Sequence, residues 1–201
     1  MENQLSGIFE LNNTKAKIFR IAARLFAEKG YNGVSMREIS EQAKITKPTL
    51  YYYYGSKEGI YLALLNAGLT YGMGDIDEIL GLNTSVKQKL VEIVKKRFHQ
   101  SLVYPEFAKY FLYLFTSTEK TPFLENFKEE TDKHRQLLVD LIQEGIDKKE
   151  FGASAKPQLA MEMIIGVITH FIWQQMLSEK KILSDQLAEQ IIELLFKGLN
   201  E

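Results

Sequence analysis

Side chains that donate hydrogen bonds are concentrated between Ser35 and Glu58, in the sequence SMREISEQAKITKPTLYYYYGSKE. Lys47 offers an ammonium group, Thr49 offers a hydroxyl, and four consecutive tyrosines add rigid rings that end in hydroxyls. Phosphate oxygens and the edges of bases in a DNA groove accept bonds from such groups. The residue types in this segment therefore indicate contact with a nucleic acid.

Two short helices joined by a tight turn must position these groups. Ser35 and Glu38 have the spacing of a capping box, which predicts the start of one helix. Thr46 is typical of the residue that caps a second helix, and Pro48 falls in its first turn, where no amide donor is needed. This arrangement matches a helix-turn-helix, whose second helix lies in the major groove, and it predicts a recognition helix over Lys47–Tyr53.

Each candidate DNA contact follows from its place on these helices. Lys47 would donate to guanine O6 and N7, and Thr49 would bond a base edge or touch a thymine methyl group. Tyr51 and Tyr53 point to either flank, toward phosphate oxygens, and Arg37 is the residue of the first helix most able to reach a base. The predicted DNA-contacting residues are Ser35, Met36, Arg37, Thr46, Lys47, Pro48, Thr49, Tyr51, Tyr52, Tyr53 and Lys57.

The tyrosine cluster has a second interpretation, because rings at helical spacing are more often packing residues than recognition residues. Leu50 and Tyr54 are four residues apart and are assigned to the core on that ground. Tyr51, Tyr52 and Tyr53 cannot all be buried on so short a helix. At least one of these rings is therefore expected to face solvent.

The charge distribution supports a phosphate-binding end. The chain carries a net charge of −1, yet residues 14–60 hold nine basic and four acidic residues, a net charge of +5. The remainder must therefore sum to −6. A basic head on an acidic body is typical of a protein that touches phosphate with one end only.

Composition narrows the class of protein. An apolar fraction of 45% and a charged fraction of 25% are ordinary for a globular protein, and the absence of cysteine excludes disulfides and thiolate chemistry. The N-terminus lacks the basic and apolar regions of a secretory signal, and the longest apolar run, Met161–Trp173, is too short to span a bilayer. We therefore expect a cytoplasmic protein with no membrane partner.

The periodicity of apolar residues is helical almost throughout and predicts an all-α fold of about nine helices. Three N-terminal helices would form a helix-turn-helix DNA-binding domain over residues 14–60. Residues 61–201 would form a helical domain for effector binding and dimerisation. The boundary is expected within the fourth helix, so that the two parts are joined rigidly.

The N-terminal segment resembles the tetracycline-repressor (TetR) family in the stretches IFRIAARLFAEKGY (Ile18–Tyr31) and VSMREISEQAKITKPTLYYYYGSKE (Val34–Glu58). The resemblance implies a nine-helix homodimer, in which the predicted recognition residues fall where members of the family contact DNA. Two positions depart from the pattern. Lys44 stands where the family usually has glycine in the turn, and Tyr54 stands where phenylalanine is common, so its hydroxyl needs a partner or a route to solvent.

Two C-terminal helices are expected to form the dimer interface. The helix after Pro157 is apolar almost all round, so it must be covered on opposite sides. The resemblance implies that it and the final helix pack with their mates as a four-helix interface; a large monomeric core is the alternative. The expected interface residues are Ile165, Gly166, Ile168, Ile172, Leu187, Ile191, Leu194 and Leu195. Two-fold symmetry would place two recognition helices about 34–36 Å apart and predicts a palindromic operator.

The middle helices are rich in aromatic residues and methionine, which favours a small, largely hydrophobic effector that is neutral or anionic. Ordinary core packing is the alternative for each ring. The candidate ligand-binding residues are Met73, Phe98, His99, Tyr110, Phe111, His134, Met163 and His170. Filling the pocket would shift the fourth helix and move the DNA-binding heads out of register.

Other classes of protein have less support. Glu130 and His134 share a helical spacing, but they lie in a charged, solvated stretch, and no catalytic residue, metal ligand or cofactor motif stands out. The sequence therefore predicts no enzyme. A DNA-binding protein of the same fold without a small-molecule inducer, controlled by a protein partner or constitutive, remains an alternative, as does a helical interaction protein. The resemblance favours a repressor that binds its operator as a dimer and is released by the effector. The residues themselves leave open the effector, the operator and the choice between repression and activation.

Overall fold

The structure is a computed structural model that describes residues 13–73, 76–119, 121, 124–152 and 155–199. These residues form ten α-helices and no strand, which confirms the predicted all-α fold. The helices are α1 (Thr14–Lys29), α2 (Met36–Ala43), α3 (Lys47–Tyr54), α4 (Lys57–Met73), α5 (Ile76–Leu80), α6 (Val86–Val103), α7 (Pro105–Thr116), α8 (Leu124–Asp147), α9 (Pro157–Leu177) and α10 (Asp185–Leu199).

The helix starts follow local signals in the sequence. Ser85 accepts a hydrogen bond from the Gln88 amide and Ser184 accepts one from the Leu187 amide, so each caps the helix that follows. Pro105 and Pro157 occupy first helical positions, where proline is tolerated. The short helix α5 is the one addition to the predicted set, because five residues are too few to show a periodicity.

The chain divides into two compact units. The first comprises residues 1–74 and 105–129, and the second comprises residues 75–104 and 130–201. The expected boundary near residue 60 falls inside α4, and the described residues of that helix belong to the first unit. Within the described ranges, no helix combines the length and the apolar content that a bilayer crossing requires.

The first unit adds α7 to the N-terminal helices. The inward face of α1 is fully buried at Ile18, Ala22 and Phe26. Phe19 stacks on Phe107 of α7 with ring centroids 6.0 Å apart. The α1 helix therefore packs against residues almost ninety positions further along the chain, and α7 forms part of the support of the N-terminal helices.

The core of the second unit lies among α6, α9 and α10. Val94 and Ile192 are fully buried, and Ile164 is 4% exposed. Phe151, which follows α8, packs edge-on against Phe196 of α10 with centroids 3.9 Å apart. The Glu150 carboxylate accepts hydrogen bonds from the amides of Val86 and Lys87, so it closes the N-terminus of α6.

Candidate nucleic-acid interface

The caps predicted for α2 and α3 are present. Ser35 accepts a hydrogen bond from the Glu38 amide at 3.1 Å, and Thr46 accepts one from the Thr49 amide at 3.3 Å. The Glu38 carboxylate pairs with Lys29 of α1, so α2 is tied to α1 at its first turn. These contacts fix where the two short helices begin.

The turn between α2 and α3 uses a non-glycine residue in the left-handed conformation. Lys44 has φ 52° and ψ 48°, and its amide donates to the carbonyls of Ser40 and Glu41 at the end of α2. A residue with a Cβ pays roughly 1–2 kcal/mol for this conformation. The turn therefore has the geometry expected where the family usually carries glycine.

Replacing Lys44 with glycine is expected to raise the free energy of unfolding by about 0.5–1 kcal/mol, because the relieved strain exceeds glycine's greater loss of backbone freedom. Urea denaturation without DNA measures this change. Lys44→Ala is the matched control, since it removes the ammonium group and keeps the strain. An equal increase in the free energy of unfolding of both variants would mean that the loss of the Lys44 charge, and not the relief of strain, is the cause.

The α3 helix presents its rings to solvent. Tyr52 is 84% exposed, Tyr51 is 49% exposed and Tyr53 is 36% exposed, whereas Leu50 is fully buried. The rings of Tyr52 and Tyr53 meet edge to face with centroids 5.3 Å apart. The expectation that at least one ring faces out is fulfilled by all three, while Leu50 anchors the helix in the core.

Tyr54 lies on the inner side of α3, as expected. Its hydroxyl donates to the backbone carbonyl of Lys15 on α1 at 3.0 Å, and burial raises the pKa of this phenol. The hydroxyl therefore stays protonated and keeps its donor role. A tyrosine is accommodated here because α1 offers an acceptor at the right distance.

The polar residues at the start of α3 differ in whether their side chains already form bonds within the protein. Lys47 is exposed and forms no ion pair among the described residues, as is also true of Lys44 in the preceding turn. The hydroxyls of Thr46 and Thr49 lie 2.8 Å apart and share a hydrogen bond. Among the described residues, Lys44 and Lys47 are therefore both cations without an ion pair near the start of α3. The Thr49 hydroxyl already uses one of its hydrogen-bonding directions within the protein.

Lys57 has contacts within the chain that its sequence position does not reveal. Its ammonium group donates to the Val34 carbonyl at 2.7 Å and lies 4.3 Å from the ring centroid of Tyr31. Desolvation lowers the pKa of this lysine, while the nearby Glu119 carboxylate acts in the opposite direction. One of the three ammonium donors is therefore already used within the protein, and a phosphate contact by Lys57 would use the others.

Arg37 is exposed but not free. Its guanidinium donates to Glu41 one turn later at 2.7 Å, and this hydrogen bond raises the pKa of the arginine. Met36 is partly exposed at the start of the same helix, and Pro48 is exposed on α3. A base contact by Arg37 would compete with an ion pair on the protein's own surface.

The structure adds a residue that the sequence analysis did not identify. Glu119, in the segment after α7, accepts hydrogen bonds from the amides of Tyr31 and Asn32, which immediately follow the turn that ends α1. A lone glutamate between helices carries no sequence signal for such a role. The separation of almost ninety residues explains why only the fold reveals this contact.

The candidate ligand-binding residues are distributed over both units. Tyr110 and Phe111 belong to the first unit, and the side chain of Met73 lies outside the described part of the chain. Tyr110 is fully buried, and its hydroxyl has no hydrogen-bond partner among the described residues. Its pKa is raised well above the usual value, chiefly by burial.

The second unit holds the other ligand candidates in three settings. Phe98 is 1% exposed and belongs to the core. His134 has a buried Nδ1 with no hydrogen-bond partner among the described residues. His99, Met163 and His170 are exposed. Tyr110 and His134 are therefore the candidates with polar atoms that are buried and unsatisfied in the described structure.

The predicted dimer residues separate into two groups. Ile168, Ile172 and Ile191 are 8%, 7% and 6% exposed in the single chain, so most of each side chain packs within its own unit. Ile168 and Ile172 belong to α9, whereas Ile191 belongs to α10 and also lines an open groove. Ile165, Leu187 and Leu195 are half-buried, while Gly166 and Leu194 are exposed.

An apolar surface nevertheless remains on this side of the second unit. On α9, exposed residues recur at steps of three and four, as Leu159, Met163, Gly166, His170, Trp173 and Leu177. An open groove beside them is lined by residues of α9 and α10, among them Val167, Phe171, Leu187, Leu194 and Leu195. We refer to these residues of α9 and α10 together as the α9–α10 surface.

Comparisons with known proteins agree with this architecture. The family profile described as "Bacterial regulatory proteins, tetR family" matches residues 18–64, and the profile described as "YsiA-like protein, C-terminal region" matches residues 69–198. The transcriptional repressor KstR2 of Mycolicibacterium smegmatis is 24% identical over 195 residues, covering 92% of this chain and 90% of that protein.

Two solved structures show the same fold. The regulator FadR from Bacillus subtilis in complex with stearoyl-CoA matches with a TM-score of 0.71 and 23% identity, over 90% of this chain and 97% of that one. AibR in complex with isovaleryl coenzyme A and operator DNA matches with a TM-score of 0.69 and 20% identity, over 92% and 98% of the two chains. With the helix-turn-helix at residues 35–54 and profile matches over most of its length, the chain belongs to the tetR family of DNA-binding transcriptional regulators and to no class of enzyme.

Proposed function

We propose that this regulator is a repressor that binds a palindromic operator as a dimer and is released from it by an acyl-coenzyme A thioester. The observation that carries the DNA-binding part is the exposed face of α3. Tyr51, Tyr52 and Lys47 project from a helix whose other side is anchored by the fully buried Leu50. This arrangement presents donors to a groove while the core holds the helix in place.

The effector class is supported by similarity and by the chemistry of the first unit. Two structurally similar regulators were solved in complex with acyl-CoA molecules, stearoyl-CoA in one and isovaleryl coenzyme A in the other. In this chain, α7 carries Phe107, Tyr110 and Phe111, and the Tyr110 hydroxyl is buried without a partner among the described residues. A hydroxyl in an aromatic environment can donate to the carbonyl of a thioester, while the rings accommodate an acyl chain.

Fluorescence anisotropy tests both parts of this function. The purified protein is titrated against a labelled duplex from upstream of its own gene and against a scrambled duplex, at several salt concentrations. Stearoyl-CoA is then added to the bound complex, with coenzyme A alone and stearate alone as controls. Release by the thioester only supports the proposal, whereas release by stearate would assign the effector to free fatty acids.

Two other outcomes of this experiment decide between the remaining functions. Preferential DNA binding that no acyl-CoA of any chain length reverses would contradict the effector and favour control by a protein partner. Binding that is equal for both duplexes and insensitive to salt would contradict sequence-specific repression at this site. A duplex library then locates the operator if it lies elsewhere.

The dimer is proposed to form through the α9–α10 surface. Trp173 on α9 is 50% exposed and Leu194 on α10 is 70% exposed in the single chain, and exposed apolar side chains of this kind mark protein interfaces. Two copies that share this surface would present two α3 helices to successive major grooves, about 34–36 Å apart.

Replacing Trp173 or Leu194 with glutamate is expected to shift the protein from dimer to monomer at micromolar concentration, because each change places a charge in an apolar interface. Analytical ultracentrifugation measures the mass. Leu82→Glu is the control, since Leu82 is 42% exposed in the same unit and lies outside the surface. A dimer that survives both substitutions would exclude this surface as the interface.

A further inference from the structure

The segment that follows α7 holds a carboxylate with four hydrogen-bond donors around it. Glu119 Oε2 accepts from the Tyr31 amide at 2.9 Å and from the Tyr113 hydroxyl. Glu119 Oε1 accepts from the Asn32 amide at 3.0 Å and from the Asn32 side-chain amide at 2.8 Å. One side chain thus joins the end of α7 to the turn after α1, and both lie in the first unit.

The turn after α1 is shaped to admit this carboxylate. Gly30 has φ 70°, a conformation that L-residues with a side chain rarely adopt. A Cβ at this position would lie 2.5 Å from Glu119 Oε2 and 3.3 Å from the Tyr113 hydroxyl. The glycine therefore ends α1 and also leaves the space that Glu119 occupies.

The surrounding hydrogen-bond donors keep Glu119 ionised. Burial raises the pKa of this carboxyl, but the hydrogen bonds from Tyr113, Asn32 and Tyr31 outweigh it, and the pKa lies below the usual value. Charge-assisted hydrogen bonds of this kind are stronger than neutral ones. Glu119 is therefore a carboxylate at neutral pH and accepts all four hydrogen bonds in its charged form.

A second bond extends the link to α4. The hydroxyls of Thr121 and Tyr61 lie 2.8 Å apart, and the Tyr61 ring meets the Tyr31 ring edge to face at 4.8 Å. The ammonium group of Lys57, the first residue of α4, lies over the Tyr31 ring. The residues after α7 consequently contact both the turn before α2 and the first turns of α4.

We propose that Glu119 is a positioning residue that couples α7 to the DNA-binding helices, so that a change in the position of α7 alters operator affinity through the Tyr31–Asn32 turn. The inference rests on the proposed repressor function and extends it to a specific contact. The turn lies three residues before Ser35, the cap of α2. A displacement of the carboxylate therefore acts directly on the entry to the helix-turn-helix.

Hydrogen–deuterium exchange tests this coupling with operator DNA alone. Exchange is measured by mass spectrometry for wild-type protein, Glu119→Ala and Glu119→Gln, each with and without the duplex. In the wild type, operator binding is expected to slow exchange in α2–α3, in residues 30–33 and in α7. In Glu119→Ala, we expect the slowing in α7 to be lost while that in α2–α3 remains.

Two further variants make the result specific. Glu119→Gln keeps the shape of the side chain, but its amide nitrogen cannot accept from two of the four donors. We therefore expect an intermediate loss of the slowed exchange in α7. This variant also tests the coupling if Glu119→Ala fails to fold. Glu106→Gln is the matched control, because Glu106 is an exposed carboxylate on α7. Thermal unfolding verifies that every variant is folded.

A functional measurement accompanies the exchange data. The ratio of operator Kd values with and without stearoyl-CoA is expected to fall in Glu119→Ala to within about twofold of one, whereas coupled sites commonly show ratios of about 5 to 150. A purely structural role would weaken operator binding equally in both conditions and leave the ratio unchanged. That unchanged ratio would overturn the inference.

The outcomes also separate this inference from the proposed function. If operator binding slows exchange in α7 equally in the wild type and in the Glu119 variants, or does not slow it in the wild type, the coupling is overturned. The proposal of DNA binding is unaffected by either result. A wild type that binds DNA but is released by no acyl-CoA of any chain length would overturn the effector proposal, and the exchange data would still decide the role of Glu119. A wild type that binds no DNA would overturn both.

Discussion

Tyr52→Ala is expected to reduce operator affinity by about 1–3 kcal/mol, or roughly 5- to 150-fold. Tyr52 is the most exposed of the four tyrosines of α3 and is 84% exposed. Its ring and hydroxyl are therefore available to DNA, and their loss removes little from the fold. Fluorescence anisotropy against the operator duplex measures the change.

Two comparisons define what this effect means. Tyr52→Phe separates the hydroxyl from the ring, because only a hydrogen-bonding role is lost in the phenylalanine variant. The free energy of unfolding should stay within about 0.5 kcal/mol of the wild type, as for other surface substitutions. Unchanged affinity in Tyr52→Ala would mean that the exposed face of α3 does not enter the groove.

Lys47→Ala complements this experiment, because the salt dependence of its DNA binding indicates which group of the DNA Lys47 contacts. If Lys47 contacts a phosphate, binding weakens similarly on all sequences and the salt slope falls by about one. If Lys47 contacts a guanine edge, discrimination between operator and scrambled duplex relaxes instead. Lys44→Ala, in the preceding turn, gives the comparison for a neighbouring exposed cation.

Gly145→Ala is expected to destabilise the second unit by about 1–3 kcal/mol, the range for overpacked cores, despite the better helix propensity of alanine. A Cβ on Gly145 would lie 2.2 Å from Cε2 of Phe151 and 2.9 Å from its Cζ. The ring cannot move away easily, because Phe151 is 4% exposed and packs against Phe196. Urea denaturation followed by circular dichroism measures the loss.

A second substitution tests the cause of this loss. Phe151→Leu shortens the side chain that the new methyl group meets, so the double variant should lose less stability than the sum of the two single variants. Gly81→Ala is the control, since a Cβ there meets backbone atoms only at ordinary contact distances of 3.4 Å and 3.5 Å. Additive losses would show that the clash is not the source of the effect.

Features set by neighbouring residues were predictable from the sequence. Ser35, Thr46 and Ser85 cap helices because a hydroxyl three residues before a free amide needs no tertiary contact to form its bond. The exposure of some α3 rings followed from the length of the helix. The left-handed Lys44 followed from its place in the turn, since the chain must reverse there whichever residue occupies it.

Features set by distant residues were decided by the tertiary structure. Hydropathy marks Ile168 and Leu194 equally as apolar, and only the packing of α9 and α10 buries the first and exposes the second. The contacts of Lys57 with Val34 and of Glu119 with Tyr31 join positions far apart in the chain. The sequence by itself determined most of the helices and the exposed rings of α3, because local bonding and periodicity specify them, and its N-terminal motifs indicated the family. The fold alone decided which apolar faces stay open and which charges are already paired, because both depend on which helices become neighbours.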